Sequence, residues 1–239
     1  MEQLFYAPDI AITPVLPEDE SQHCVRVLRL NEGDSIIITD GKGFLYNAIL
    51  EKAHPKHCLV NITERSLQKP LWDNTIHIAV APTKSIDRME WFVEKATEIG
   101  INAITCLRCR HSERREINLN RLNKIAVSAM KQSQKATLPQ ISEMIDFNKF
   151  ISREFAGQKM IAHCEENEKL LMKEVYKPDS NALILIGPEG DFSNEEIKSA
   201  ISYGFTPISL GKSRLRTETA ALVACHTIHL FSGELKIEN

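Results

Sequence analysis

Two glycine-bearing turns, each lying between an apolar run and a polar segment, have the residue types best suited to holding a ligand. The first lies within LILIGPEGDFS at 183–193, and the second within ISLGKSRLRTETA at 208–220. Each pattern predicts a strand, a turn with free backbone groups and the start of a helix. Together they predict a clamp that holds an adenine and a ribose by main-chain hydrogen bonds, with ordinary strand-to-helix connections as the alternative.

The charges around the first turn argue against a phosphate ligand. Ser193 and Glu196 have the spacing of a capping box, which already satisfies amides at the helix start. Glu189 and Asp191 add negative charge that repels a phosphate. Phosphate-binding motifs are also absent from the sequence, because Thr206 replaces the glycine that a P-loop needs before GKS and no G-x-G-x-x-G occurs. The turn therefore suits an uncharged or cationic ligand such as a nucleoside.

A second candidate for chemistry is the stretch CLRCRH, in which Cys106 and Cys109 have C-x-x-C spacing and His111 follows. A structural zinc ion needs four ligands, and the other Cys/His cluster, His163 with Cys164, has no second C-x-x-C. A thioredoxin-type redox pair opens a helix, whereas charged, loop-like residues follow here. We therefore expect buried or incidental free thiols, a reducing compartment and no metal site.

The two turns belong to a long segment, from Thr75 onwards, in which strand and helix patterns alternate. The strand patterns are TIHIAVAP, INAITCL, QKMIAHC, NALILIG and FTPISLG; the helix patterns are SIDRMEWFVEKATEIG, NLNRLNKIAVSAMKQSQKA, SNEEIKSAISYG and LRTETAALVACHTIHLFSG. This alternation predicts an α/β domain over 74–239, with a mainly parallel sheet covered on both faces. Ligands of such sheets bind at the carboxyl ends of the strands, where both turns lie.

The first 70 residues have a different pattern. Short β-rich runs follow residue 34, and the segment 40–43, DGKG, has the composition of a hairpin turn. Before them, PEDESQHCVRVLRL predicts a helix that begins after a proline and an acidic first turn. These patterns predict a small β-barrel with one helix over 1–70, and a domain boundary at about 68–74.

Composition excludes some classes of function. The chain has 239 residues, 43% of them hydrophobic, and a formal net charge of −3. It has no basic leader with an apolar core and no run of about 18 apolar residues, so we expect a cytoplasmic protein without a membrane partner.

One segment departs from this acidic balance. Residues 106–135 hold eight Lys and Arg residues against two Glu residues, which favours contact with a polyanion over an ordinary solvated face. Arg26 and Arg29 are three positions apart in the predicted helix, which puts them on one face of it, either for RNA contact or as solvated side chains.

The stretches LIGPEGDFSNEE and LGKSRLRTETAALVA resemble the two signatures of the SPOUT superfamily of S-adenosylmethionine-dependent RNA methyltransferases. More narrowly, the chain resembles the ribosomal RNA small subunit methyltransferase E family, which methylates N3 of a uridine in 16S rRNA. HCVRVLRLNEGDSIIITDGKG is similar to that family's PUA-like barrel, and KSIDRMEWFVEKATEIGI to its middle region. The chain departs from the family pattern at Asp191, where a glycine is common, and at Gln3, where an arginine is common.

The resemblance implies a SPOUT-type knotted domain whose C-terminal trefoil knot forms the pocket for the methyl donor. By position, it implies that S-adenosylmethionine is bound by His163, Ile186, Gly187, Gly190, Leu210, Gly211, Leu215, Arg216, Thr219 and Ala220. It also implies 16S rRNA as the partner, within the small ribosomal subunit. The predicted RNA contacts are Arg26, Arg29, Arg110, Arg114, Arg115, Arg121 and Lys131.

Methylation of N3 requires the imide proton to leave the uracil, which favours a base and a positive charge nearby. The candidates are Arg216, to stabilise charge on the uracil carbonyls, and Glu218, to orient a donor or accept the proton. The alternative for Glu218 is a carboxylate in the first helical turn, which stabilises the helix and does no chemistry. Transfer is a direct displacement at the sulfonium methyl, so positioning dominates and no metal is needed.

The closing helix predicts a further feature, because its apolar residues occupy more than one stripe. It must be covered on more than one side, by the same chain or by a partner, and the resemblance favours a homodimer. The rival functions are a catalytically inactive RNA-binding ribosome assembly factor of the same fold and a nucleotide-dependent enzyme of another α/β class. The missing phosphate motifs disfavour the second rival.

Overall fold

The computed structural model describes residues 3–69, 72–165, 169–178 and 180–232. The chain divides into two compact units, one formed by 1–70 with 127–138 and one by 71–126 with 139–239. Part of the predicted boundary at 68–74, and the glycine predicted to end the last helix, Gly233, lie outside the described residues.

The first unit is built on a four-stranded sheet. Its strands are β1 (Leu4–Tyr6), β2 (Ser35–Thr39), β3 (Phe44–Lys52) and β4 (Leu59–Leu67), in that order. β1 is parallel to β2, and the other pairs are antiparallel. The predicted hairpin turn is confirmed, because β2 and β3 pair on either side of residues 40–43, and the Asp40 carboxylate accepts hydrogen bonds from the amides of Lys42 and Phe44.

The helix of the first unit differs from the prediction. An α-helix, α1 (Glu18–Gln22), continues into a π-helical turn over His23–Val27, and Arg29 then adopts a left-handed φ of 57°. The wider turn changes the spacing that an α-helix would give, and Val27, an apolar residue of the predicted helix, is 65% exposed. The prediction that Arg26 and Arg29 share one face of an α-helix was therefore wrong, because the helical segment ends before Arg29.

The second unit contains a seven-stranded sheet. Its strands are β5 (Ile76–Val80), β6 (Ala103–Arg108), β7 (Gln140–Asp146), β8 (Gln158–Ala162), β9 (Leu170–Leu171), β10 (Ala182–Ile186) and β11 (Thr206–Ser209), in the order β7-β6-β5-β10-β8-β11-β9. Every pair is parallel, which confirms the predicted parallel sheet. The strands β7 and β9, at the two edges, were not predicted, because β7 is not a continuous apolar run and β9 is only two residues long.

Helices pack on both faces of this sheet. The helices of the chain after β5 are α2 (Ile86–Ile99), α3 (Leu119–Gln132), α4 (Phe147–Ile151), α5 (Met172–Val175), α6 (Asn194–Ser202) and α7 (Thr217–Phe231). Every residue of β10 is buried. Leu183 and Leu185 pack in one cluster with residues of α4 and α6, whereas α7 packs against α2, β5 and β10. No helix in the described part of the chain is long and apolar enough to cross a lipid bilayer.

The segment 127–138 joins the first unit although it lies far along the chain. The amide of Gly43 donates to the carbonyl of Ala136 at 2.9 Å, and the amide of Leu138 donates to the carbonyl of Gly41 at 2.9 Å. The Thr39 hydroxyl also donates to the carbonyl of Ala136. The sequence pattern gives no sign of this return, because these bonds join residues up to 97 positions apart.

Candidate functional site

A cavity of about 800 Å³ lies where three strands of the second unit end. The strands β10, β8 and β11 are neighbours in the sheet, so their carboxyl ends meet at one edge. The loop after each strand lines the cavity, together with the start of α7. Both glycine turns therefore border one cavity, at the edge where parallel sheets bind ligands.

The cavity brings together most of the residues predicted to hold the methyl donor. Its lining includes His163, Ile186, Gly187, Gly190, Leu210, Gly211, Leu215, Arg216 and Ala220. Thr219 is the predicted donor residue that does not line it. The lining also includes residues that were not predicted to hold the donor, among them Cys164, Lys169, Asp191, Lys212 and Arg214.

The first turn is fixed by an aspartate in a conformation that usually needs glycine. Asp191 has a φ of 62°, a left-handed value that Asp tolerates better than most residues. Its carboxylate accepts a hydrogen bond from the amide of Cys164 at 2.6 Å and another from the amide of Phe192 at 2.8 Å. The departure from the family pattern thus keeps the backbone shape and links the loops after β8 and β10.

We expect the variant Asp191→Ala to lower the free energy of unfolding by about 1–2 kcal/mol, because two hydrogen bonds to a carboxylate are lost and alanine is strained at this φ. Asp191→Asn keeps an acceptor oxygen and tolerates the backbone, so we expect a smaller loss. Denaturant unfolding of both variants measures the difference. Equal stability of Asp191→Ala and the unsubstituted protein would show that the aspartate does not hold the turn.

The carboxylates near the first turn are already bonded to backbone amides. Ser193 and Glu196 form the predicted capping box, which is confirmed: the Ser193 amide donates to Glu196 at 2.8 Å, and the Glu196 amide donates to the Ser193 hydroxyl. The other oxygen of Glu196 accepts from the amide of Arg110. Glu189 accepts from the amide of Lys84 at 2.9 Å. These acids hold loops in place.

His163 is a buried polar side chain in the lining of the cavity. It lies just after β8, and only 7% of it is exposed. Burial, and then the nearby Lys169, lower the pKa of the imidazole, so the ring is uncharged at neutral pH. Both ring nitrogens are buried and have no hydrogen-bond partner among the described residues. They are therefore available to a ligand in the cavity.

The two predicted catalytic residues lie in different surroundings. Arg216 is exposed, lines the cavity and precedes the first residue of α7. Glu218 is buried and does not line the cavity, and its carboxylate lies 3.9 Å from the guanidinium of Arg88 in α2. Residues two positions apart at a helix start do not face the same way. The structure therefore does not bring Glu218 to the ligand site together with Arg216.

The predicted RNA-binding cations are less free than the local charge suggests. Arg110 pairs with Glu195, Arg121 with Glu90 and Lys131 with Glu20. Arg108, in the same basic run, pairs with Asp146. Arg114 donates to the carbonyls of Thr83 and Lys84. Of the other predicted contacts, Arg26, Arg29 and Arg115 are exposed. The acids that offset the run come from distant parts of the sequence, which a local count misses.

The C-x-x-C pair is buried in the second unit. Burial raises the pKa of the Cys106 thiol to about 12, and burial together with Glu196 raises that of Cys109. All six cysteines are free. Within the described ranges, no group of three or more His, Cys, Asp and Glu side chains is arranged to hold a metal ion. Cys106 and Cys109 thus pack in the interior as protonated thiols.

Known proteins resemble both parts of this chain. Residues 70–229 match the family model of an RNA methyltransferase domain, and residues 16–63 match that of an RNA methyltransferase PUA domain. The chain is 31% identical over 224 residues to ribosomal RNA small subunit methyltransferase E of Rickettsia conorii, covering 91% of this chain and 90% of that protein. It is 29% identical over 244 residues to the protein of the same name from Bacillus subtilis, with 95% and 92% covered.

Solved structures agree with these matches. A probable rRNA-methyltransferase from Porphyromonas gingivalis has a TM-score of 0.92 and 45% identity, covering 97% of this chain and 98% of that one. A ribosomal RNA small subunit methyltransferase E from Neisseria gonorrhoeae, bound to S-adenosylmethionine, has a TM-score of 0.86 and 25% identity, with 96% and 98% covered. The chain therefore belongs to the RNA methyltransferase family whose curated members are named ribosomal RNA small subunit methyltransferase E.

Proposed function

We propose that this protein transfers the methyl group of S-adenosylmethionine to N3 of a uridine in 16S rRNA. The observation that carries the proposal is the joining of both glycine turns around one cavity, in a chain that belongs to an RNA methyltransferase family. A relative bound to S-adenosylmethionine supports the choice of donor. We place the reaction in the cytoplasm, where rRNA is assembled into subunits.

The cavity suits this donor on physical grounds. At about 800 Å³ it lies within the range of small-molecule sites. Its glycines leave backbone groups accessible, and the neutral imidazole of His163 offers hydrogen-bonding nitrogens that do not repel a cationic sulfonium. We assign the donor to this cavity, bound by the lining residues that the family resemblance predicted. Thr219 supports the pocket from its position in α7.

The acceptor loses its imide proton to the solvent before N3 attacks the methyl group, and the sulfur–methyl bond of the donor breaks as the new bond forms. We assign to Arg216 the stabilisation of the negative charge that then spreads over the uracil carbonyls, because its guanidinium is exposed at the cavity. Glu218 is buried beside Arg88 and is assigned to positioning of the helix start, where its charge complements the helix dipole. Positioning of the two substrates supplies the rest of the catalysis.

Two measurements test the proposal and separate it from its rival. Calorimetry with S-adenosylmethionine and its demethylated product measures donor binding. Incubation with 16S rRNA, or with small ribosomal subunits, followed by mass spectrometry of the nucleosides, locates the methyl group. Donor binding with a methyl group on uridine N3 supports the proposal. RNA affinity without donor affinity would instead support an inactive assembly factor, and a methyl group on another atom would refute the N3 assignment.

We also propose that the C-terminal chain is knotted as in SPOUT proteins. The strand order supports this, because β10 lies between β5 and β8, β11 lies beyond β8, and α7 then returns to pack on β5 and β10. The Thr217 hydroxyl donates to the carbonyl of Gly187, so the two loops meet. Joining the chain ends in the native state and then denaturing the ring tests the proposal, since a knotted ring stays more compact than an unknotted one.

We propose that the protein forms a homodimer through α7 and α2. Leu230 and Phe231 in α7, and Trp91 in α2, are about 40% exposed, and the two helices pack together. We expect Leu230→Glu with Phe231→Glu to give a monomer of 27.1 kDa, because a twofold interface receives each new charge twice. We expect its methylation activity to fall about tenfold if the dimer is the active form. Light scattering and a methylation assay measure both effects.

The control for this prediction is Ile201→Glu in α6, a similarly exposed apolar residue on a different helix. We expect this variant to remain a dimer. A monomeric unsubstituted protein with full activity, at a concentration where a dimer persists, would refute the interface.

A further inference from the structure

The cavity has a cationic rim on one side. Between Gly211 and Thr217 the loop after β11 carries Lys212, Arg214 and Arg216, all exposed and all lining the cavity. No ion pair or side-chain hydrogen bond is recorded for these three side chains within the described ranges. They contrast with Arg110, Arg121 and Lys131 of the basic run, each of which is paired with an acid.

The acids of the same rim offset only part of this charge, because the lining holds four Lys and Arg residues against two acids. Glu189 and Asp191 line the cavity, but their carboxylates accept hydrogen bonds from the amides of Lys84, Cys164 and Phe192. The Lys169 ammonium is held by the carbonyls of His163 and Glu165. The loop after β11 thus provides the cationic side chains of the lining that have no partner among the described residues.

The loop lines the same cavity as the strand end that carries His163. Burial and then Asp191 raise the pKa of the Cys164 thiol, while the charges of Lys169 and Arg214 act in the opposite direction. Arg214 and Cys164, which lies in the loop after β8, both line the cavity.

The methyl donor does not account for three unpaired cations. S-adenosylmethionine carries one carboxylate, one sulfonium and one ammonium group, so its net charge is positive. A cationic rim therefore adds little to its binding free energy. A polyanion gains from every cation at the rim, because each phosphate contact releases counterions. The backbone of the loop can adapt to such a partner, since no backbone hydrogen bond is recorded for residues 212–215 in the described chain.

We propose that Lys212 and Arg214 bind phosphates of the RNA backbone beside the target nucleotide, and so hold the RNA over the donor cavity. The proposal rests on the function proposed above and adds to it two RNA contacts that belong to the loop of the cavity. Arg216, at the end of the same loop, keeps the role proposed above, which is to stabilise the uracil anion. Phosphate contacts of this kind fix the register of the RNA without reading its sequence.

The double variant Lys212→Ala with Arg214→Ala tests the proposal against a matched control. The control is Lys149→Ala with Lys198→Ala, two exposed lysines in α4 and α6 that do not line the cavity. For each protein, calorimetry measures the affinity for S-adenosylmethionine. Binding of in vitro transcribed 16S rRNA is measured over a series of salt concentrations, and methylation gives kcat and the KM for RNA.

We expect the loop variant to bind the donor within about twofold of the unsubstituted protein and to bind RNA about tenfold more weakly at low salt. The dependence of log affinity on log salt loses about 1.5 in slope, from two phosphate contacts, and KM for RNA rises while kcat changes little. The control changes none of these quantities. An unchanged salt slope would overturn the proposal.

Loss of donor affinity in the loop variant, with RNA binding unchanged, would also overturn it, because the loop would then hold the donor's carboxylate. Failure of the proposed function would give a different experimental result. An unsubstituted protein that binds no donor and transfers no methyl group refutes that function, while the salt dependence of RNA binding still decides whether the loop contacts phosphates.

Discussion

The variant Gly187→Leu is expected to lose at least about 100-fold in affinity for S-adenosylmethionine, because a leucine side chain does not fit against Phe192 without shifting the turn that lines the donor cavity. Gly187 lines the cavity, and its carbonyl accepts a hydrogen bond from Thr217. Its φ lies outside the left-handed range, so an L-residue does not strain the backbone. A Cβ here lies 3.2 Å from both the ring and the amide nitrogen of Phe192, a buried core residue, so a longer side chain must shift Phe192 or the turn itself.

A graded series separates volume from misfolding. Gly187→Ala adds only the Cβ, so we expect a loss of affinity smaller than that of Gly187→Leu. The control is Ser202→Leu at the end of α6, an exposed position outside the cavity lining, which we expect to bind the donor normally. Calorimetry measures the affinities, and circular dichroism checks that each variant is folded. Unchanged donor affinity in folded Gly187→Leu would place the donor elsewhere.

Gly211 is a less decisive position for the same question. It has a φ of 126°, so any side chain strains the backbone, and a Cβ there meets nothing within 4 Å. A loss of binding in a Gly211 variant would follow from a changed loop as readily as from a filled cavity. The two glycines looked equivalent in the sequence, since backbone dihedral angles are not visible there.

The regular part of the second unit could be predicted because its strands are apolar runs and its helices are amphipathic. Strand β10 is buried along its whole length, and Ser193 with Glu196 marks the start of α6 as a capping box does. Strand β7 escaped prediction because an edge strand needs no continuous apolar run. The π-helical turn before Arg29 could not be predicted, because the spacing of apolar residues does not show which backbone hydrogen bonds a helical turn forms.

The candidate site divides in the same way. The glycine turns could be read locally, and they lie at one cavity because parallel strands end at one edge of the sheet. The RNA surface could not be read from a charge count, because the partner of Arg121 is Glu90 and that of Lys131 is Glu20, far away in the sequence. Lys212 and Arg214 were not predicted as RNA contacts, because the GKS stretch beside them lacks the first glycine of a P-loop.

Replacement of Arg216 by alanine is expected to lower kcat for methyl transfer by about 100- to 1,000-fold, the loss typical of removing one group that stabilises developing negative charge. Arg216 is exposed at the cavity and makes no side-chain capping bond to α7, so its removal leaves the helix start intact. We expect donor affinity to fall less than tenfold, because the donor has many other contacts. The control is Arg153→Ala, an exposed arginine outside the cavity lining.

The pH dependence distinguishes this role from a structural one. A cation beside the uracil favours the ionised imide and therefore lowers its pKa, so removing the cation raises the pKa of the bound substrate. The rate of Arg216→Ala then rises with pH over a range in which the unsubstituted protein has already levelled off, so the deficit narrows in alkaline buffer. Arg216→Lys retains the charge but not the planar, forked guanidinium group, so we expect its rate of methyl transfer to lie between those of Arg216→Ala and the unsubstituted protein. A deficit that stays constant across the pH range would show that Arg216 orders the loop without stabilising the uracil anion.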